Sequence, residues 1–173
     1  MPHRKLNVAA QGMLDAYKAL LDARGYVADA AQMTAASALQ ALYTNLLAFK
    51  VNRGSTFKRL LSPPKPPKGV YFWGGVGRGK SFLMDCFYDS VPYRRKKRLH
   101  FHAFMQQIHR DLDKYKGEDD PMGKVAEQVA RDVRLLCFDE FHVSDIADAM
   151  ILGRLMDGLF AKGVIVVMTS NYP

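Results

Sequence analysis

Cysteine is scarce in this chain, which carries only Cys86 and Cys137 among its 173 residues. Neither belongs to a Cys-x-x-Cys pair, so a disulfide framework and a zinc ribbon are excluded and a reducing compartment is favoured. Long apolar runs are also lacking, since none approaches the roughly 20 residues that a membrane helix needs. The N-terminus has no short apolar segment of the signal-peptide type, and Asp15 and Asp22 argue against an acid-poor transit peptide.

Acidic residues are missing from two strongly basic stretches. Residues 50–68 contain six basic residues and no acid, and residues 94–98 are an unbroken run of five basic residues. The net charge of +8 is compatible with nucleic acid or an anionic membrane surface as a partner, but for the run at residues 94–98 a solvated loop is favoured. With 49% apolar and 24% charged residues, the composition excludes a disordered protein.

Helical periodicity dominates the first third of the chain. Apolar residues recur every three or four positions over residues 5–24 and again over residues 39–49, which predicts two amphipathic helices. Asp29 with Gln32 resembles a capping box at the start of the second helix. Residues 1–61 are therefore interpreted as an N-terminal helical segment.

Proline ends this helical segment. Four of the five residues at positions 63–67 are proline, so residues 62–69 are expected to form an extended linker. Beyond it, residues 70–173 alternate between short apolar runs and helical spacing, which predicts an α/β domain with a parallel sheet flanked by helices. Ser144 or Asp145 is expected to cap the last helix. The predicted strands are residues 70–73, 99–102, 135–138 and 164–168, and the predicted helices are residues 80–88, 104–115, 124–131 and 146–161.

Structural roles are expected for two groups of ring side chains. Tyr71, Phe72 and Trp73 on the first predicted strand are interpreted as core residues. His100 and His102 alternate on the second predicted strand, and a structural or partner-facing role is favoured over a metal site, which needs three or four converging ligands.

A phosphate-binding motif follows the first predicted strand. The sequence GGVGRGKS at residues 74–81 matches GxxxxGK[ST] without a gap and leads into a predicted helix, where backbone N–H groups and the helix dipole favour phosphate. Lys80 is expected to act on the β- and γ-phosphates and Ser81 to offer its hydroxyl to Mg²⁺. The predicted nucleotide-binding residues are Gly74, Gly75, Val76, Gly77, Arg78, Gly79, Lys80, Ser81 and Phe82.

Polar residues follow two later strands of the predicted sheet. Asp139 and Glu140 come directly after the strand at residues 135–138, at the sheet edge where ligands of open parallel sheets bind. Asp139 is expected to hold Mg²⁺ through water, and Glu140 to orient or deprotonate the attacking water. Asn171, after the strand at residues 164–168, is expected to contact the γ-phosphate or that water.

Together these residues resemble the AAA+ ATPases and, within them, the ZapE or lactation-elevated (LACE-type) family. The resemblance runs from about residue 17 to the end of the chain and implies a P-loop NTPase fold with strand order 5-1-4-3-2. Its specific segments are DAAQ at residues 29–32, the loop at residues 74–81, HFHAFM at residues 100–105, LCFDEFHVSDIADAM at residues 136–150, and TSN at residues 169–171, which is similar to the family's sensor-1 motif.

What the family does is implied by this resemblance. It implies ATP hydrolysis with Mg²⁺ by a homo-oligomeric ring that acts on protein clients. Bacterial members are linked to cell division and the FtsZ ring, and mitochondrial members to the handling of membrane-complex subunits. A bacterial cytoplasmic protein is favoured, with a peripheral position at the inner membrane as the alternative.

The chain departs from the family pattern because it ends after the sensor-1 strand. A fifth strand, an arginine finger and a helical lid normally follow, so residues 70–173 are interpreted as an incomplete AAA+ domain of an N-terminal fragment. Because an arginine finger contributes ~10³–10⁵ in rate, weak ATP binding and slow turnover are expected. A nucleotide-binding adaptor without hydrolysis and a small-molecule or nucleotide kinase are the alternatives, and Glu140 beside the metal-binding acid argues against the kinase.

Overall fold

The computed structural model of the chain describes residues 12–54, 65–143 and 145–173. These residues form two compact units. The first consists of the described residues of Met1–Val70 and Val76–Pro92, and the second of those of Tyr71–Gly75 and Tyr93–Pro173. Of the predicted linker, residues 62–64 lie outside the described residues, and residues 65–69 form neither helix nor strand.

From β1 onward each described strand is followed by one or two helices before the next strand, as the sequence pattern predicts. In chain order they are α1 (Met13–Arg24), α2 (Ala30–Gly54), β1 (Val70–Trp73), α3 (Lys80–Ser90), β2 (Lys96–His100), α4 (Phe101–Lys114), α5 (Pro121–Asp132), β3 (Leu135–Asp139), α6 (Ile146–Ala161) and β4 (Ile165–Ser170).

The first unit is built from α1, α2 and α3, which pack against one another. Both predicted N-terminal helices are present, although the predicted start of the first lies outside the described residues. Gly25 follows α1 with a φ of 65°, a left-handed conformation that glycine adopts without steric cost. The buried side chains that the three helices share include Met13, Tyr17, Leu21, Leu39, Leu46, Met84 and Phe87.

The capping box predicted at the start of α2 is complete. The Asp29 backbone N–H donates to Gln32 Oε1 at 2.9 Å, and the Gln32 backbone N–H donates to Asp29 Oδ1 at 2.8 Å. These reciprocal bonds satisfy two backbone donors, one of them in the first turn, where the helix itself offers no acceptor. The start of α2 is thereby fixed.

The second unit contains a four-stranded sheet in the order β1-β4-β3-β2. The pairs β2–β3 and β3–β4 are parallel, and the register places His100 beside Asp139. This architecture confirms the predicted α/β class and the 1-4-3-2 part of the implied strand order. Helices α4, α5 and α6 share one core with the sheet, which includes Phe104, Ile108, Val125, Leu136, Phe138, Leu155 and Val166.

The second predicted strand is present, but its predicted bounds, residues 99–102, are wrong, because β2 runs from Lys96 to His100. β2 ends at His100, which is the N-cap of α4, and the helix begins at Phe101. The apolar face of α4 begins with Phe101. The centroid of its ring lies 5.7 Å from that of the Phe138 ring in the core. His102 is consequently helical, and its ring nitrogen Nε2 lies 3.0 Å from Gln106 Nε2 one turn later.

The expectation of three core aromatics on β1 is also wrong. Phe72 is buried, but Tyr71 and Trp73 are 43% and 58% exposed. Successive side chains of a strand point to opposite faces of the sheet, so Tyr71 and Trp73 share the face opposite to that of Phe72.

Capping residues explain where α5 and α6 begin. α6 has the predicted bounds, and its cap is Asp145, whose Oδ1 accepts the Ala147 N–H at 2.8 Å; the alternative cap, Ser144, lies outside the described residues. α5 begins earlier than predicted because Asp120 caps it and Pro121 suits its first position. Among the described helices, none has the length and apolar character of a membrane span.

Candidate functional site

Two glycines of the phosphate motif adopt conformations that other residues resist. Gly77 has a φ of 78° and Gly79 a φ of 70°, in the left-handed region where a Cβ meets steric resistance. Gly79 is also the N-cap of α3, so Lys80 and Ser81 are the first residues of that helix. The loop therefore leads into a helix N-terminus, which favours an anion.

Contacts from α2 reach the loop at Arg78, within the first unit. Gln32 Nε2 donates to the Arg78 carbonyl oxygen at 3.0 Å. Asp29 Oδ2 lies 3.2 Å from Arg78 Nη1. Both residues belong to the capping box, for which the sequence pattern predicts no role at the loop.

Lys80 is partly shielded from water. Burial lowers the pKa of its ammonium group from the ordinary value of 10.5, because the cation loses hydration. A phosphate nearby would favour the charged form again. Lys80 is thus suited to a phosphate partner, and its predicted role stays a prediction.

The Phe82 side chain packs on α1 within the first unit. Its ring centroid lies 5.8 Å from that of Tyr17, and the Arg24 guanidinium lies 4.4 Å from the same centroid. The predicted part of Phe82 in nucleotide binding stays a prediction.

Asp139 ends β3 and is held by Arg98. Arg98 Nε donates to Asp139 Oδ2 at 2.6 Å, and Nη2 donates to Oδ1 at 3.1 Å, so the guanidinium engages both carboxylate oxygens. The side chains of Arg98 and Asp139 are only 18% and 12% exposed. Charge-assisted pairs of this geometry are stronger than neutral hydrogen bonds, and they fix the orientation of the carboxylate.

Glu140 occupies a strained backbone position. Its φ of 54° is the only positive value at a non-glycine residue in the part of the chain that the structure describes. Such conformations cost about 1–3 kcal/mol and cluster at functional sites. The side chain is 74% exposed, with Oε2 3.7 Å from His100 Nδ1. The carboxylate is therefore accessible to water, as its predicted role requires.

The end of β4 joins the acid pair to the start of the phosphate motif, within the second unit. The Glu140 N–H donates to Thr169 Oγ1 at 3.2 Å. The Gly74 N–H donates to the Ser170 carbonyl oxygen at 3.2 Å. Asn171 is the next residue and is exposed. β4 thus brings Gly74, Glu140 and Asn171 to one sheet edge, while their roles in binding and catalysis stay predictions.

The donor atoms present are of the kind that magnesium takes. Mg²⁺ prefers oxygen and is usually held by one or two carboxylates together with substrate phosphates and water. Ser81 supplies a hydroxyl and Asp139 a carboxylate, whose oxygens have lone pairs beyond those that Arg98 uses. No group of three or more His, Cys, Asp or Glu side chains in the described ranges could form a metal cage. Each of the two residues, Ser81 in the first unit and Asp139 in the second, thus offers oxygen atoms of the kind that Mg²⁺ takes, and their roles as ligands stay predictions.

The basic run at residues 94–98 does not form a single cationic surface. Arg98 turns to Asp139, and Arg95 donates to backbone carbonyl oxygens in the last turn of α5. β2 begins within the run, so the favoured solvated loop is wrong for its second half. Arg94 and Lys97 are exposed.

Three residues outside the predicted set shape the candidate site. Gln32 contacts the loop, Arg98 holds Asp139, and Thr169 accepts the backbone N–H of Glu140. Signals for two of them lie in the sequence, since Gln32 belongs to the DAAQ segment and Thr169 to the TSN segment. Arg98 is hidden inside the basic run, where nothing distinguishes it from its neighbours.

A parallel sheet in the order β1-β4-β3-β2, a GxxxxGKS motif after β1 and an acid pair at the end of β3 define a P-loop NTPase fold. Comparison with protein-family models identifies the family within this fold class. The family model of the AFG1-like ATPases matches residues 12–173. The chain therefore belongs to the AFG1-like ATPase family, which confirms the resemblance drawn from the motifs.

Curated relatives from bacteria and animals are similar to part of the chain. The cell division protein ZapE of Escherichia coli K12 is 55% identical over 108 residues, which cover 62% of this chain and 29% of ZapE. Lactation elevated protein 1 homolog B of Danio rerio is 50% identical over 123 residues, which cover 65% of this chain and 24% of that protein. The chain thus spans less than a third of the length of these relatives.

Among solved structures, the chain is similar to a crystal structure of DnaI. The match has a TM-score of 0.44 and 18% sequence identity, and it covers 67% of this chain and 62% of that one.

Proposed function

We propose that this protein binds ATP with Mg²⁺ and hydrolyses it, and that hydrolysis drives work on protein partners. The observation that carries the proposal is the GxxxxGKS motif after β1, combined with an exposed Glu140 held in a strained conformation at the end of β3. Membership of a family of ATPases supports the same reaction.

The loop provides the binding energy for the phosphates. Backbone N–H groups of residues 76–81 and the N-terminal end of the α3 dipole favour the negative charge. Lys80 adds a full positive charge whose hydration is already reduced, so that its interaction with phosphate is stronger than at an exposed position.

Magnesium would be held by Ser81 directly and by Asp139 through water. When bound, the ion neutralises charge that develops on the β- and γ-phosphate oxygens. The chain's own contribution is orientation, because the bidentate pair with Arg98 allows the Asp139 carboxylate little freedom.

Glu140 is assigned to the attacking water. Its carboxylate orients the water and accepts a proton from it as the water oxygen attacks the γ-phosphorus, while the bond from that phosphorus to the β,γ-bridging oxygen breaks and ADP leaves. The bond from the Glu140 N–H to Thr169 keeps this residue in place. Asn171, on the same strand end, contacts the γ-phosphate or the water.

A role in bacterial cell division is the biological setting that we propose. It is supported by the ZapE relative, whose name states such a role for that protein. In this setting the protein acts as a homo-oligomer on components of the FtsZ ring, in the cytoplasm or peripherally at the inner membrane.

A second candidate function is nucleotide binding without hydrolysis, as in an adaptor. The observation that favours it is the pairing of Asp139 with Arg98, which occupies part of the carboxylate that Mg²⁺ would use.

Steady-state phosphate release from ATP by the full-length protein separates these functions. Release without an added acceptor supports the ATPase, and ATP binding without release supports the adaptor. Transfer that depends on an acceptor would instead indicate a kinase.

Glu140→Gln tests the assignment of the water-activating group. The amide cannot accept the proton, so turnover should fall at least about 100-fold while ATP affinity is kept. Glu127→Gln is the matched control, because Glu127 is a surface residue paired with Arg131 on α5. Equal turnover of Glu140→Gln and the parent would contradict the assignment.

A further inference from the structure

The capping box of α2 uses its side chains twice. Gln32 Oε1 accepts the Asp29 N–H, and the same amide donates from Nε2 to the Arg78 carbonyl. Asp29 Oδ1 accepts the Gln32 N–H, while Oδ2 faces Arg78 Nη1. Each side chain therefore caps the helix with one polar atom and contacts the loop with the other.

The bond to the Arg78 carbonyl has a consequence for the next N–H group. The carbonyl of Arg78 and the N–H of Gly79 belong to one planar trans peptide and point in opposite directions. When Gln32 holds the carbonyl toward α2, the Gly79 N–H is turned away from α2. A phosphate loop binds its ligand through backbone N–H groups aimed at one point, so the direction of this one matters.

A side chain at position 79 would crowd the Gln32 amide. A Cβ at this position would lie 3.3 Å from Gln32 Nε2, and the φ of 70° already disfavours side chains. The amide of Gln32 is thus in close contact with the loop backbone.

The Asp29–Arg78 ion pair contributes little to holding the loop. Its side chains are 43% and 66% exposed, and ion pairs in water are worth little. The hydrogen bond from Gln32 is also exposed, but it holds the loop backbone itself and not a side chain.

We propose that Gln32 is a positioning residue for phosphate binding: its amide sets the direction of the Arg78–Gly79 peptide, so that the Gly79 N–H is presented to the phosphates. This inference rests on the proposed ATP-binding function of the loop. Because coupling is reciprocal, bound nucleotide should in turn slow amide hydrogen exchange at the start of α2.

Two substitutions separate this role from helix capping. Gln32→Met is nearly isosteric and uncharged, but it has no donor and only a weak acceptor. Gln32→Glu keeps the acceptor that caps Asp29 and lacks the donor at neutral pH. Ser37→Ala is the control, because the Ser37 hydroxyl bonds only to the Met33 carbonyl of the same helix among its described contacts.

The measurement is equilibrium binding of ATP and, separately, of inorganic tripolyphosphate to the full-length protein. Both Gln32→Met and Gln32→Glu lose one hydrogen bond that orients a binding group. Each should therefore bind both ligands about fivefold to tenfold more weakly than the parent. Equal effects on the two ligands place the defect at the phosphates, and Ser37→Ala should bind as the parent does. The melting temperature without ligand monitors folding, and Gln32→Glu, which keeps the cap, should retain it.

Lys80→Ala distinguishes failure of the inference from failure of the proposed function. If Lys80→Ala binds ATP as the parent does, the nucleotide site itself is misplaced. If Lys80→Ala loses ATP but Gln32→Met retains full affinity for both ligands, the positioning role of Gln32 is wrong. A loss seen in Gln32→Glu but not in Gln32→Met would reflect the added charge and would also overturn it.

Discussion

The phosphate loop and the end of β3 are held by different physical means. The contact from α2 to the loop is an amide hydrogen bond with an exposed ion pair beside it. Asp139, in contrast, ends a strand whose residues are all buried and shares a shielded bidentate pair with Arg98. Changes in the loop should therefore alter ligand affinity more than folding, whereas changes at the end of β3 should alter folding first.

The largest expected effect on stability is that of Arg98→Ala. Removing one partner of a buried pair costs about 3–5 kcal/mol, and because some water reaches both side chains here, we expect the free energy of unfolding to fall by about 2–4 kcal/mol. Urea denaturation measures it. Arg94→Ala, at an exposed position of the same basic run, should change it by less than about 0.5 kcal/mol. Similar losses in the two variants would mean that the Arg98–Asp139 pair is not what stabilises the end of β3.

A smaller effect is expected at the loop, where Gly79→Ala should lower the free energy of unfolding by about 1–2 kcal/mol. The cause is the left-handed φ of 70° together with the approach to Gln32. Gly153→Ala is the matched control on α6, because a Cβ there meets nothing within 4 Å. Helix propensity predicts that it stabilises the protein by about 0.5–1 kcal/mol. The two substitutions should therefore change the free energy of unfolding, measured by heat or urea, in opposite directions. A change in the same direction would contradict the assigned loop conformation.

Local sequence signals predicted most of the fold. α6 has the predicted bounds because a long periodic run begins after a capping Asp145, and β3 stands out as a short apolar run before two acids. The start of α4 was misplaced because Leu99 to His102 also alternates like a strand, and only packing on Phe138 shows that Phe101 is helical.

The residues that support the candidate site were harder to predict than its motifs. The contact of Gln32 with Arg78 joins residues 46 positions apart, and that of Arg98 with Asp139 requires the parallel register of β2 and β3. Neither of these two contacts can be predicted from composition or periodicity. The positive φ of Glu140 also has no local signal in the sequence, and the hydrogen bond of its N–H joins it to Thr169 on another strand.

The decisive measurement for the phosphate-binding loop is the affinity of Lys80→Ala for ATP in the presence of Mg²⁺. We expect binding at least about tenfold weaker than in the full-length parent, since a charge-assisted contact to phosphate is lost. Lys50→Ala, which removes a lysine of the first unit that bonds to the Pro92 carbonyl at 2.8 Å, should leave the affinity unchanged. Parent-like affinity in Lys80→Ala would contradict the assignment of residues 74–81 as the phosphate-binding loop.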